Sequence, residues 1–228
     1  MIKAENLAYS YADQSMPALK EINLAIEEGE YLAVVGPIGC GKTTLIKHFN
    51  ALLTPTEGNV WVDGMNTKDA SLAGEIRRRV GMVFQNPDNQ IVGMTVEEDV
   101  AFGPENLRLP PAEIGQRVEA ALEAVGMKNY ARRRPHTLSG GEKRLLTIAD
   151  ILAMNPKYIV LDEPASSLDP STRELVLALL RRLNNQGIAM IHITHHLEEI
   201  TFADRVVVMD CGRIKESAGR ARELLHGL

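Results

Sequence analysis

Apolar and polar residues alternate along Ile2 to Tyr11 and again along Leu19 to Ile26, on either side of a polar loop at Asp13 to Pro17. This two-residue period predicts two half-buried strands. Glu28-Gly29-Glu30 predicts a turn. Tyr31 to Val35 is apolar without a break, the pattern of a strand covered on both faces in the middle of a parallel sheet. A helix is expected from about Lys42 to Leu52, broken by Thr54-Pro55-Thr56-Glu57-Gly58. Val60 to Val62 and Val80 to Phe84 read as short strands.

From about Pro87 to Pro135 the pattern changes. Thr95-Val96-Glu97-Glu98 has the form of a capping box ahead of a short helix. Pro111 to Val125 reads as an amphipathic helix, and no strand pattern interrupts the segment, so a helical insertion is expected. Alternation then resumes. Helices are expected over Glu142 to Met154 and Thr172 to Asn185, and strands over Tyr158 to Leu161, Ala189 to Ile193 and Arg205 to Met209. Such βα alternation predicts an α/β fold with a mostly parallel, helix-covered sheet. With 228 residues, one large α/β domain or one domain with an inserted subdomain fits the length.

Composition narrows the function. The net charge of -5 does not imply a broad nucleic-acid-binding surface. The local runs Arg77-Arg78-Arg79 and Arg132-Arg133-Arg134 read as solvated helix faces or as contact sites. Two cysteines, Cys40 and Cys211, define no disulfide framework. The longest apolar runs are too short to cross a bilayer, and the N-terminus has no signal-peptide pattern. The chain is expected to be cytoplasmic, with any membrane role requiring a partner.

Gly36-Pro37-Ile38-Gly39-Cys40-Gly41-Lys42-Thr43 follows a strand and precedes a helix, the context of a phosphate-binding loop. Gly36, Gly39 and Gly41 let the backbone curl so that N–H groups point at phosphate oxygens. The helix dipole adds to this. Lys42 is placed for the β- and γ-phosphates, Thr43 for magnesium through its hydroxyl and Thr44 for the α-phosphate. The competing reading is a glycine-rich turn capping a helix. Asp162 and Glu163 follow four apolar residues. A strand end under the phosphates is where a magnesium-organising aspartate belongs, and Glu163 one residue farther can act as general base. Alone, Asp-Glu-Pro is also a turn. Ser139-Gly140-Gly141-Glu142 is a capping box by itself.

These three elements, in this order and spacing, resemble the ATPase subunit of an ABC transporter, from Tyr11 to about Gly212. The resemblance implies a P-loop NTPase core with a small antiparallel β subdomain and an inserted helical subdomain. Residues 1–88 and 136–228 would form the core and 89–135 the insertion. It implies ATP and Mg2+ as ligands, and an active site shared by two chains. In that arrangement Ser139, Gly140 and Gly141 grip the γ-phosphate of the nucleotide held by a second ATPase subunit, itself or a paralogue. Gln85 resembles the Q-loop glutamine that senses magnesium and the membrane partner. Tyr11 resembles the aromatic that stacks on adenine, with Tyr9 as the other candidate. Asp169, in Ser167-Leu168-Asp169, resembles the D-loop; it is also a natural N-cap ahead of Pro170. His195 resembles the switch histidine. A metal site from His192, His195 and His196 competes with that reading, although along a strand His192 and His195 point to opposite faces.

Gln85 to Gln90 and Thr95 to Asn106 are similar to the ATPases of energy-coupling-factor importers, which move vitamins or cobalt and nickel. That likeness implies an integral membrane scaffold, a substrate-binding membrane subunit, and a peripheral position on the cytoplasmic face. Met94, Val100 and Phe102 are candidates for the groove that receives the scaffold, or for helical core. Four positions depart from the family pattern. Glu142 stands where glutamine is usual, Leu145 where arginine is common, Ile38 replaces a polar loop residue, and His196 replaces an aspartate. The chain also ends soon after the last expected strand. The alternatives are a soluble ABC ATPase acting on nucleic acid or ribosomes and a weakly catalytic regulatory subunit.

Overall fold

Five consecutive apolar residues set the centre of the molecule. Tyr31–Val35 forms a strand, β3, with all five residues buried. Tyr31, Ala33 and Val35 face one core, and Leu32 and Val34 face another, as the two-residue repeat of a strand requires. The computed structural model describes residues 1–13 and 16–218; positions 14 and 15 of the expected polar loop lie outside the described residues.

Before β3 come β1 (Ile2–Tyr9) and β2 (Leu19–Ile26). After it follow α1 (Lys42–Phe49), β4 (Glu57–Val62), β5 (Met65–Asn66), α2 (Ala73–Arg79) and β6 (Val80–Val83). The helices α3 (Val96–Asn106), α4 (Pro111–Ala124) and α5 (Gly140–Ala153) come next. The chain continues through β7 (Tyr158–Asp162), α6 (Pro170–Asn185), β8 (Ala189–Ile193), β9 (Arg205–Asp210) and β10 (Arg213–Ala218). A six-stranded sheet has the order β10-β9-β3-β8-β7-β6, parallel throughout except for the β9/β10 pair. A second, antiparallel sheet has the order β2-β1-β4-β5. It shares its core with α1 and one face of the large sheet; α3 to α6 cover the other face.

Several boundaries differ from the sequence expectation. α1 stops at Phe49 instead of Leu52, because Asn50 leaves helical geometry and Ala51 takes a positive φ of 54°. α5 starts two residues early, at Gly140, since the cap is Ser139. α2 buries only Ile76, which leaves too little apolar periodicity to announce a helix. β10 adds an antiparallel edge to β9. Of the two arginine runs, Arg77 donates to Ala51 O and Arg79 pairs with Asp63 and Glu75, whereas Arg132 to Arg134 are exposed.

The helical layer is tied down by its caps. Thr95 and Glu98 form the expected capping box, and α3 and α4 pack on each other and on α5. Asp99 is buried on α3, where Oδ1 accepts from Val92 N at 2.8 Å and Gly93 N at 2.6 Å. Asp150 on α5 lies against it; burial, and then the charge and hydrogen bond of Asp99, push its carboxyl well above the usual range. Among the described residues no helix is long and apolar enough to cross a membrane.

Candidate functional site

The loop from β3 to α1 curls because two of its glycines admit no side chain. A Cβ on Gly36 (φ 149°) would lie 2.2 Å from Met209 O, and one on Gly41 (φ 106°) 2.7 Å from Ala18 O. Gly41 also caps α1 without a side-chain hydrogen bond, which leaves the first amides of the helix available to an anion. Lys42 is buried, and its Nζ donates to Gly36 O at 2.7 Å and Pro37 O at 2.9 Å, so its charge lies inside the curl. Thr43 Oγ1 donates to Asp162 Oδ2 at 2.9 Å, and Thr44 Oγ1 lies 3.1 Å from the Tyr11 hydroxyl. A cavity of ≈ 340 Å³ joins Tyr11, Gly39, Gly41 and Lys42 to Thr44 with Gln85, Asp162, Glu163 and His195. Tyr9, the other aromatic candidate, packs against the core and edge-on to Tyr11 and His48.

The opposite wall is the end of β7. Asp162 is buried, and burial raises its carboxyl above the ordinary range; the hydrogen bond from Thr43 opposes this and the neighbouring Glu163 charge adds to it. A hydroxyl beside a carboxylate with excess negative charge is the hard oxygen donor set that Mg2+ takes. Glu163 has a positive φ of 49°, a conformation that costs a non-glycine residue about 1 kcal/mol. Ser166 holds it there, donating through N and Oγ to Glu163 O. The bend presents both carboxylate oxygens to partners. Gln85 Nε2 donates to Oε2 at 3.2 Å, and His195 Nδ1 lies 3.0 Å from Oε1. Gln85, 78 positions before Glu163, and His195, 32 positions after it, thus join it in one hydrogen-bonded cluster beside the phosphate-binding loop.

Ser139, Gly140, Gly141 and Asp169 lie outside this cavity. Ser139 caps α5 in a reciprocal box with Glu142: Glu142 N donates to Ser139 Oγ at 3.2 Å and Ser139 N to Glu142 Oε2 at 2.7 Å. The bond from Ser139 N, against the cost of partial burial, holds the Glu142 carboxyl below its ordinary range. Asp169 caps α6 through Ser171 N and Thr172 N. The two helix starts adjoin, since a Cβ on Gly141 would meet Thr172 Cγ2 at 2.4 Å.

His195 and His196 stack with ring centroids 4.0 Å apart, while His192 is turned to Tyr31 and Glu199. β8 ends at Ile193, as expected, so His192 lies on the strand and His195 in the loop beyond it. His192 faces Tyr31 and Glu199, His195 faces Glu163, and His196 faces Glu198. Met94 and Phe102 are 79% and 53% exposed, whereas Val100 is fully buried core. One residue of the site had no role in the sequence reading. Arg144, 2% exposed, donates from its two Nη atoms to Phe84 O and Gln85 O and so fastens α5 to the Gln85 loop. It shares a helix face with buried Thr147 and Ile148, at the three- and four-residue spacing that could have revealed it.

Residues 19–166 match the model of the ABC transporter family. The chain is 56% identical over 214 residues to the cobalt import ATP-binding protein CbiO of Syntrophus aciditrophicus, covering 94% of this chain and 76% of that one. It is 54% identical over 218 residues to the energy-coupling factor transporter ATP-binding protein EcfA1 of Caldanaerobacter subterraneus subsp. tengcongensis, covering 94% and 79%. The solved structure of cbiO1 from Clostridium perfringens, described as part of the ABC transporter complex cbiONQ, matches with a TM-score of 0.90 at 37% identity, over 99% of this chain and 90% of that one. This chain belongs to the ABC transporter family, as an ATP-binding and ATP-hydrolysing subunit of the energy-coupling-factor type.

Proposed function

We propose that the subunit energises import of a vitamin or a cobalt or nickel ion as one of two ATPase chains beneath an integral membrane scaffold. The observation that carries this is the division of the site. The Gln85, Glu163 and His195 cluster adjoins the phosphate-binding loop, while Ser139, Gly140 and Gly141 lie outside the cavity that these residues line. A second chain would bring its own Ser139 to Gly141 helix start over the nucleotide held here, placing amides on the far side of the γ-phosphate.

In the proposed reaction Glu163 takes a proton from the attacking water as its oxygen bonds to the γ-phosphorus. The bond from that phosphorus to the β–γ bridging oxygen breaks, leaving ADP. Lys42 and His195 hold the γ-phosphate oxygens, and Tyr11 stacks on adenine. Thr43 and Asp162, with Gln85, would hold Mg2+, which neutralises charge developing on the phosphate oxygens. Residues 89–135 would form the insertion that meets the scaffold, with the exposed Met94 and Phe102 at the contact. The name of one relative, a cobalt import protein, favours a metal ion as cargo. The reading places the chain on the cytoplasmic face of the membrane.

Purifying the tagged chain from its own membranes in mild detergent tests this. Co-purification of a small integral membrane scaffold, with its substrate-binding subunit, is expected. Recovery from the soluble fraction alone, with nucleic acid or ribosomes, would overturn it.

A further inference from the structure

Behind His195 lies a buried polar cluster that the hydrolysis scheme does not use. Glu199 is fully buried on the short turn Leu197–Ile200. Its Oε2 accepts from Thr194 Oγ1 at 2.8 Å and lies 3.5 Å from His192 Nε2. The same Thr194 Oγ1 accepts from His196 N at 3.0 Å, so the two residues flanking His195 are held through one hydroxyl and one carboxylate. His192 is in turn fixed by the Tyr31 hydroxyl, 2.9 Å from Nδ1.

The other oxygen of Glu199 is underused. Oε1 lies 3.9 Å from Nε of Arg173, in the first turn of α6. Among the described residues neither atom has a hydrogen-bond partner, although both are buried. Arg173 N donates to Asp169 O at 2.9 Å, so Arg173 and Asp169 belong to one helical turn. A charge-assisted hydrogen bond forms at about 2.7–2.9 Å. A shift of the α6 start by about 1 Å would therefore convert the 3.9 Å approach into a bond. For stability alone a buried carboxylate with an unpaired oxygen is inferior to an apolar side chain of similar volume.

We infer that Glu199 is a positioning residue for hydrolysis: it holds the loop that presents His195 to Glu163, and through Arg173 it links that loop to the Asp169 helix start. Movement of the Asp169 loop, when a second chain docks against it, closes the Arg173–Glu199 contact and locks His195 in place. This rests on the reading that Glu163 and His195 act in hydrolysis.

The test is steady-state ATP hydrolysis by the chain in its assembled transporter, comparing Arg173→Met, Glu199→Gln, the double variant and Glu163→Gln. Arg173→Met and Glu199→Gln are each expected to lower kcat roughly 10- to 100-fold, the effect of misplacing a reacting group by about 1 Å. The KM for ATP should change much less than kcat, since Lys42 and the phosphate-binding loop still hold the nucleotide. The double variant should be no slower than the slower single one, because both break one link. Unchanged kcat in Arg173→Met, or effects that multiply in the double variant, would overturn the inference. So would a kcat loss that only tracks the folded fraction measured by thermal unfolding. Arg173 is partly exposed and makes no close ion pair, so that variant decides the matter even where Glu199→Gln fails to fold. Full turnover in Glu163→Gln would instead overturn the hydrolysis scheme itself.

Discussion

Two pairs of carboxylates, Asp162 with Glu163 and Asp99 with Asp150, show how one chemical group serves two ends. Both pairs are at least partly buried, and in both, burial raises one member's carboxyl. The first pair opens onto a cavity, next to a hydroxyl, Lys42 and an imidazole. Its excess negative charge can be met by a cation or by a proton in transit. The second pair is shut between α3 and α5. There Asp99 spends one oxygen on two backbone amides, and burial, with the Asp99 charge, raises the Asp150 carboxyl. An accessible carboxylate is a reagent, and a sealed one is a strut.

Breaking the open pair should have the larger effect. Asp162→Asn removes the carboxylate facing Thr43 and should lower turnover roughly 10²-fold or more, by loss of metal-assisted charge stabilisation. Single-turnover kinetics across a magnesium series would measure it. Because the Asp162 carboxyl is raised, acidification protonates it earlier than an ordinary aspartate. The apparent magnesium affinity of the native chain should then fall as pH drops through that raised value.

Breaking the sealed pair should change stability and leave the chemistry alone. Asp99→Ala strands Val92 N and Gly93 N and should destabilise the fold by about 2 kcal/mol, seen in urea unfolding. Asp150→Asn keeps a hydrogen-bond donor toward Asp99. Because the folded-state carboxyl of Asp150 titrates above its unfolded value, its contribution to stability is complete at low pH and declines as pH rises between the two. The slope there is about 1.4 kcal/mol per pH unit. Asp150→Asn should abolish that slope and gain about 1 kcal/mol at neutral pH. An unchanged pH profile of unfolding in Asp150→Asn would show that the Asp150 carboxyl is not the source of that slope. The smallest effect is expected from Glu142→Gln. Either side chain completes the capping box with Ser139, so stability should move by no more than about 0.5 kcal/mol and turnover by less than about threefold.

The same contrast explains what the sequence disclosed. Gly36 to Thr43 and Ser139 to Glu142 are contiguous, and a loop or cap formed by neighbours is visible wherever its residues stand together. Tyr31 to Val35 and Tyr158 to Leu161 were legible because strands covered on both faces must be apolar throughout. Contacts between distant segments were not. Nothing near Arg144 announces Phe84 and Gln85, and nothing near Glu199 announces Arg173. Nothing in the sequence around Asp99 or Asp150 announces that the two meet when α3 is laid on α5. The end of β8 at Ile193 was legible, whereas the contact of His195, two residues beyond it, with Glu163 was not.

The most direct measurement is ATP hydrolysis by the Glu163→Gln variant in the assembled transporter, with ATP affinity measured on the same preparation. Glutamine retains the shape and one of the two acceptor oxygens that face Gln85 and His195, but it cannot accept the water proton. Turnover should fall about 10²- to 10⁴-fold, with ATP binding preserved. Turnover equal to that of the native chain, with binding intact, would contradict the assignment of Glu163 as general base.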